Sequence, residues 1–308
     1  MTFLSLLAAL IFEQVRPLRY GNPIHRLFAR YAMYLARQLN GGEYKHGVVA
    51  WLLAVGPPVV VALAVYVALC RISVPAAWLW NVAVLYLTMG FRQFSHHFTE
   101  ITEALREARV DAAREELGRW RGAAASELGE GESEIARVAI EQALVAAHRH
   151  VFGTVAWFLA AGAPGAILYR LSAALAERWG ARSDADSGAF GRFAARCFFW
   201  IDWLPARMSA AGFAIVGNFE DAVYCWRTQA ASWASEAHGI ILATGGGALG
   251  VRLGGTLSGP AGAHFRPELG VGDEADVDYM RSAVGLVWRA LALWMFLVLI
   301  VSIAHALG

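Results

Sequence analysis

The stretch "GVVAWLLAVGPPVVVALAVYVALC", residues 47–70, decides the fold class. It carries no charged side chain, and a helix needs about 20 mainly apolar residues to cross a ~30 Å hydrocarbon layer. Inside a bilayer the backbone finds no water to bond, so such a run satisfies its own amides as a helix. Pro57 and Pro58 lie near its middle, and their missing N–H groups predict a kink at mid-depth. A second run of the same kind closes the chain, "LVWRALALWMFLVLIVSIAHALG" at 286–308.

Composition agrees with a membrane protein. Hydrophobic residues make up 57% and charged residues only 17%, against about a quarter charged in soluble domains. Twelve Trp and sixteen Phe, many at the ends of apolar runs, suit the membrane–water interface. A net charge of +1 gives no case for nucleic-acid binding, which needs a concentrated basic surface. Cys70, Cys197 and Cys225 are too few and too scattered for a disulfide framework or a C-x-x-C site.

Outward from 47–70, the preceding loop (14–46) holds Arg16, Arg19, Arg26, Arg30, Arg37 and Lys45 against Glu43, which places it on the cytoplasmic side. Before it, "MTFLSLLAALIF" lacks a basic n-region and a cleavage site, so it reads as a short apolar segment and not a removed signal peptide. After it, a second span is expected at about 75–91. Phe91, Phe94, Phe98, Ile101 and Leu105 then recur at helical spacing and predict an amphipathic helix. A turn within Gly118–Gly129 and a second helix from about Ser133 complete a cytoplasmic layer over 92–150. In 151–176, "GAPG" at 162–165 divides the apolar run, giving either a kinked span or a re-entrant hairpin. The arginines at 178, 182, 192 and 196 favour the hairpin. With an apolar segment at 198–216, the expectation is one all-α polytopic domain over 1–308. It has about five membrane-embedded segments and a second extramembrane, glycine-rich region at 217–285.

That region contains "GIILATGGGALGVRLGG" (239–255), where Gly245, Gly247 and Gly250 match G-x-G-x-x-G. A dinucleotide site needs a βαβ setting around those glycines, and membrane segments flank them instead. Close helix packing through small residues is one reading. A nest of backbone N–H groups with Arg252 facing an anion is the other. His96, His97 and Glu100 share a helix at a spacing metal ligands use, although interfacial residues are the more ordinary reading, and no metal site is expected. The triplet His148-Arg149-His150 marks a polar boundary or contacts an anion. Asp202, inside "CFFWIDWLPAR", is an ionisable group at membrane depth, with Arg207 the nearest candidate partner.

"GALGVRLGG" (247–255), "WLPAR", "GAPGAILYR" and "PELG" (267–270) together resemble signatures of the CobD/CbiB membrane family, the adenosylcobinamide-phosphate synthases. The helix "GFRQFSHHFTEITEALREARVDAAREELGRWRG" is similar to the family's arginine- and histidine-bearing helix, with Arg92 and His97 on those positions. The resemblance implies an ATP-driven ligase that joins adenosylcobyric acid to an aminopropanol phosphate through an amide, with Mg-ATP as cofactor. It also implies departures. Glu141 is retained, but Val145, Ala146, Arg149 and His150 stand where the family has Glu, Asn, Asp and Gly. Ala173 and Ala176 replace Asn and Asp, Phe198 and Phe199 replace two Asp, while Gly180 and Arg182 survive. Carboxylates hold the hard cations of phosphate chemistry, so their loss argues against ligation. The start "FLSLLAALIFEQ" and the Asp202, Trp203, Pro205, Arg207 set resemble AmpE, a membrane protein associated with β-lactamase induction.

The sequence therefore favours an AmpE-like inner-membrane sensor or modulator that binds a phosphate- or corrinoid-like small molecule. The ligand residues expected are Arg92, His97, Arg182, Arg207, Gly247, Gly250, Arg252, Gly254 and Gly255, together with Asp202. The alternative is a working synthase with Glu141 and Asp202 as its catalytic carboxylates. The bilayer is the certain partner, and the reading allows a homo-oligomer.

Overall fold

The computed structural model describes residues 2–16, 23–122, 129, 131–180, 189–259 and 262–307; Arg182 and the side chain of Arg92 lie outside the described residues. Twelve α-helices of the described residues carry the fold, with four short strands in the glycine-rich region. The chain forms two compact units: residues 1–90 with 149–205, and residues 91–148 with 206–308. Both expected extramembrane regions, as far as His148 in the first case, belong to the second unit.

In the first unit α1 (Thr2–Val15) packs on α4 (Val74–Thr88), and α3 (Tyr44–Ile72) packs on α2 (Pro23–Leu39), α4 and α8 (Gly153–Leu175). Helix α3 runs through Pro57 and Pro58 as one helical segment. Its buried stripe of Ala50, Trp51, Ala54 and Val55 meets Leu175 and Trp179 in the core, while Leu52, Leu53, Val60 and Val61 stay exposed. Apolar side chains left outside in this way fit a lipid-facing surface. Helix α4 ends at Met89, so its 15 residues reach only about 22 Å, short of a full crossing.

A helical run covers 132–180, and with 44–72 and 277–305 it is one of three long and apolar enough to cross a membrane. It is not one rod. At Ala161 (φ −139°, ψ 15°) and Gly162 (φ 65°, ψ −153°) the backbone leaves helical geometry. A Cβ on Gly165 would collide with the Trp157 carbonyl, and one on Gly153 with the Tyr169 hydroxyl. Residues 16 apart on a straight helix are separated by about 24 Å, so the two halves of α8 lie against each other. The Arg170 guanidinium reaches the Arg149 carbonyl at 3.3 Å, which requires the same reversal. The hairpin reading of 151–176 is the geometry observed, and "GAPG" is its apex.

In the second unit α5 (Phe91–Arg106) buries the predicted face: Phe91, Phe94, Phe98, Ile101 and Leu105 are all in the core. The single turn expected near 118–129 is preceded by another. Helix α6 (Val110–Arg121) starts after a tight reversal at Ala108, whose φ is +55°, and Gly122 caps its end. Helix α7 (Glu132–Ala147) packs on α5, α6, α11 (Glu236–Leu249) and α12 (Val277–Leu307). The part of α9 (Phe190–Val216) from Ala206 onward belongs to this unit and leads through Gly217 and Asn218 into α10 (Phe219–Gln229), which lies along α11. Helix α12 begins nine residues before the apolar run that predicted it.

Candidate functional site

The glycine run does not open a helix, as a dinucleotide fingerprint must. It closes one: Gly245, Gly246 and Gly247 form the buried last turns of α11, and Gly250 (φ +70°) caps it. Cβ atoms at these positions would press on Leu144, on the Gly270 backbone and on the Asp221–Ala222 backbone, respectively. Gly247 is thus a packing residue and Gly250 a capping one. Close backbone approach is what the absence of a side chain allows here.

Beyond the cap, β1 (Leu253–Gly254) pairs antiparallel with β4 (Glu268–Leu269), so "GALGVRLGG" and "PELG" form one structure. Strand alternation sends Leu269 into the core and Glu268 outward. Gly254 and Gly255 have φ of +74° and +70°, and the Gly254 N–H donates to Glu141 Oε1 at 2.7 Å. Arg266 donates to both Glu141 oxygens at 2.7 and 3.1 Å and to the Gly254 and Gly255 carbonyls. Its guanidinium also lies 5.4 Å from the Trp233 ring. The expected backbone nest therefore exists in part, and the anion it receives is the carboxylate of Glu141. A side chain held by three charge-assisted bonds fastens the segment to α7.

Beside this fastening lies a polar pocket of about 320 Å³ lined by Ser133, Glu134, Arg137, Arg252, Gly255, Thr256, Glu268 and Glu274. Arg137, one turn before Glu141, donates to the Thr256 carbonyl at 2.6 Å. Arg252, half exposed, faces Glu274 at 3.9 Å. Gly131, the N-cap of α7, has no side chain to cap the helix and lines the pocket, so the positive end of the helix lies beside it. Two arginines, two hydroxyls and three carboxylates in one cavity can hold phosphate oxygens and a hard cation together.

Of the residues expected to bind ligand, the structure brings Arg252, Gly254 and Gly255 to this place, next to Glu141. The partner found for Asp202 is Tyr169, whose hydroxyl donates to it at 2.8 Å within the first unit. Arg207 pairs with Glu236 in the second unit. His97 Nδ1 lies 2.5 Å from Glu116 Oε1 on α6, and Arg119 holds the other Glu116 oxygen at 2.6 Å. Burial works against ionising Glu116, but His97, Glu100 and Arg119 outweigh it and keep the carboxyl below its ordinary range. Sequence reading missed Arg266, Arg137, Ser133, Glu134, Glu268 and Glu274. Only Glu268, inside "PELG", and Arg137, four residues before Glu141, carried any signal.

Comparison with known proteins decides the family. A family model described as CobD/Cbib protein matches residues 4–287. A curated protein of Stutzerimonas stutzeri, named Cobalamin biosynthesis protein CobD, is 36% identical over 305 residues, covering 96% of this chain and 97% of its own length. This chain belongs to the CobD/CbiB family. Proteins of the same name from Chromobacterium violaceum (38% over 222 residues, 72% of this chain and 70% of theirs) and Mycobacterium tuberculosis (30% over 275 residues, 86% and 84%) are also similar. No solved structure matches.

Several residues that the sequence reading set against the family pattern gather in one place. Ala173 and Phe198 pack with Tyr169, with Ala176 at the edge of the same cluster. Arg149 lies 6.0 Å from the Phe198 ring and pairs with Glu177 at 2.6 Å. These residues surround the base of the α8 hairpin in the first unit. The "GALGVRLGG" and "PELG" matches lie in the second.

Proposed function

We propose that this chain is a membrane-bound enzyme of cobalamin biosynthesis that joins adenosylcobyric acid to an aminopropanol phosphate by an amide bond. The observation that carries the reading is the likeness to CobD proteins along nearly the full length of both chains. The relatives' shared name supports it over the AmpE-like modulator. The pocket beside the Glu141 fastening supplies a place for the phosphate-bearing reactant, with Arg137 and Arg252 on its oxygens.

Mg-ATP, which the family resemblance implies, fits the donors present. Mg²⁺ takes one or two carboxylates and completes its shell with water and phosphate oxygens, and Glu134, Glu268 and Glu274 offer such carboxylates. When bound, Mg-ATP supplies the driving force for amide formation. The chain's own part is to neutralise phosphate charge with Arg137 and Arg252 and to hold the cradle in place through Glu141 and Arg266. These glutamates lie outside the linear patterns in which carboxylates are lost, so carboxylate donors for a hard cation remain. We place the protein in a bacterial inner membrane, with 14–46 and 92–150 on the cytoplasmic side, where nucleotide is available.

One observation favours a second reading, a family member that binds without ligating: the apolar and arginine replacements at the hairpin base. Complementation of a synthase-deficient cobalamin auxotroph separates the two. Growth with the wild-type gene is expected, and failure to grow at verified membrane expression would favour the modulator.

A further inference from the structure

Helices α5 and α6 form a helical hairpin in which three side chains converge away from the glycine-rich pocket. His97 and Glu100 are three residues apart on α5, so both project from one face of the helix. Glu116 comes from the buried face of α6. One potential ligand atom from each lies within 4.8 Å of the other two. We propose that His97, Glu100 and Glu116 form a binding site for a divalent transition-metal ion.

Three features support this beyond proximity. First, the fold brings two carboxylates and an imidazole together, although like charges repel unless a proton or cation lies between them. Second, each carboxylate is steered from outside the group: Arg119 holds Glu116 at 2.6 Å, and His96 holds Glu100 at 3.1 Å. Outer partners of this kind orient first-shell ligands in metal sites. Third, the His97 ring stacks on Trp120 with a 14° interplanar angle and a 6.0 Å centroid distance, which fixes its plane. Helical bundles build carboxylate–histidine metal sites from the same i, i+3 spacing on facing helices.

The donor set of one nitrogen and two oxygens selects the ion. An imidazole favours Zn²⁺, Mn²⁺ or Fe²⁺ over Mg²⁺ and Ca²⁺, which prefer oxygen alone. Bonds of about 2.0–2.2 Å put neighbouring ligand atoms roughly 3–3.5 Å apart, so the 2.5 Å contact between His97 Nδ1 and Glu116 Oε1 must open and the remaining gap must close. Glu100 is the exposed member and can rotate to close it. Three protein ligands leave positions open for water or a further ligand.

The test is titration of the untagged full-length protein in detergent with Zn²⁺, after EDTA treatment, followed by calorimetry and metal analysis. One equivalent should bind per chain. His97→Ala and Glu116→Gln should each weaken binding by more than the roughly 10- to 100-fold that loss of an outer-shell partner causes. Because those changes reach the packed hairpin, Glu100→Gln at the surface provides a variant with its fold intact. Zn²⁺ should raise the melting temperature of wild type and of His305→Ala, but not of Glu100→Gln. Absence of saturable binding in wild type would overturn the proposal, as would equal affinity in wild type, His97→Ala and Glu100→Gln.

Discussion

At Gly162 in the first unit and at Gly254–Gly255 in the second, the chain takes left-handed turns that glycine adopts most readily. The results differ. At Gly162 the reversal brings the two halves of one apolar helix together, and aromatic and small side chains fill the space between them. At Gly254–Gly255 it aims an amide at a buried carboxylate, fixes an arginine over both, and leaves a charged cavity alongside. Glycines mark both turns in the sequence. Only the charges brought in from distant positions distinguish a packing turn from a site.

The sharpest way to break this contrast is Glu141→Ala. It strands Arg266 against the glycine strands, and removing one partner of a buried pair costs about 3–5 kcal/mol. Unfolding in detergent should register that loss, and a change below 1 kcal/mol would mean the fastening is dispensable. Gly162→Ala comes next, because its φ/ψ lies where only glycine is at ease, and such strain amounts to roughly 1–3 kcal/mol. Its melt should fall while the Glu141 joint is untouched. Tyr169→Phe leaves the buried Asp202 carboxylate without its phenolic donor, a loss of about 1–3 kcal/mol at most; retained stability would mean the aspartate finds an equivalent partner. Arg252→Ala should have the smallest effect on stability, within about 0.5 kcal/mol for an exposed side chain, yet should reduce complementation. That combination would separate residues lining the pocket from those holding it.

Much of the fold was legible because its signals are local. Uninterrupted apolar runs named α3 and α12, and a 3–4 spacing of Phe91, Phe94, Phe98, Ile101 and Leu105 named the buried face of α5. The break between α5 and α6 was not legible, since it turns on Ala108 at positive φ with no glycine or proline to announce it. The site was less readable still. Glu141 meets Arg266 across 125 positions and His97 meets Glu116 across 19, separations no periodic pattern spans. The pairing expected between Asp202 and Arg207 also has a geometric objection: on one helix, five residues place side chains roughly 140° apart. Partners seen for them include Tyr169 and Glu236, which come from other helices.

The central claim is that the cavity held open by Glu141 and Arg266 serves amide formation in cobalamin biosynthesis. The most direct measurement is mass-spectrometric detection of the amide product from adenosylcobyric acid, aminopropanol phosphate and Mg-ATP. It compares detergent-solubilised wild type with an Arg252→Ala, Glu268→Gln double variant of matched stability. The account predicts product from wild type and its loss from the variant. Product at equal rates from both, or from neither, would contradict it.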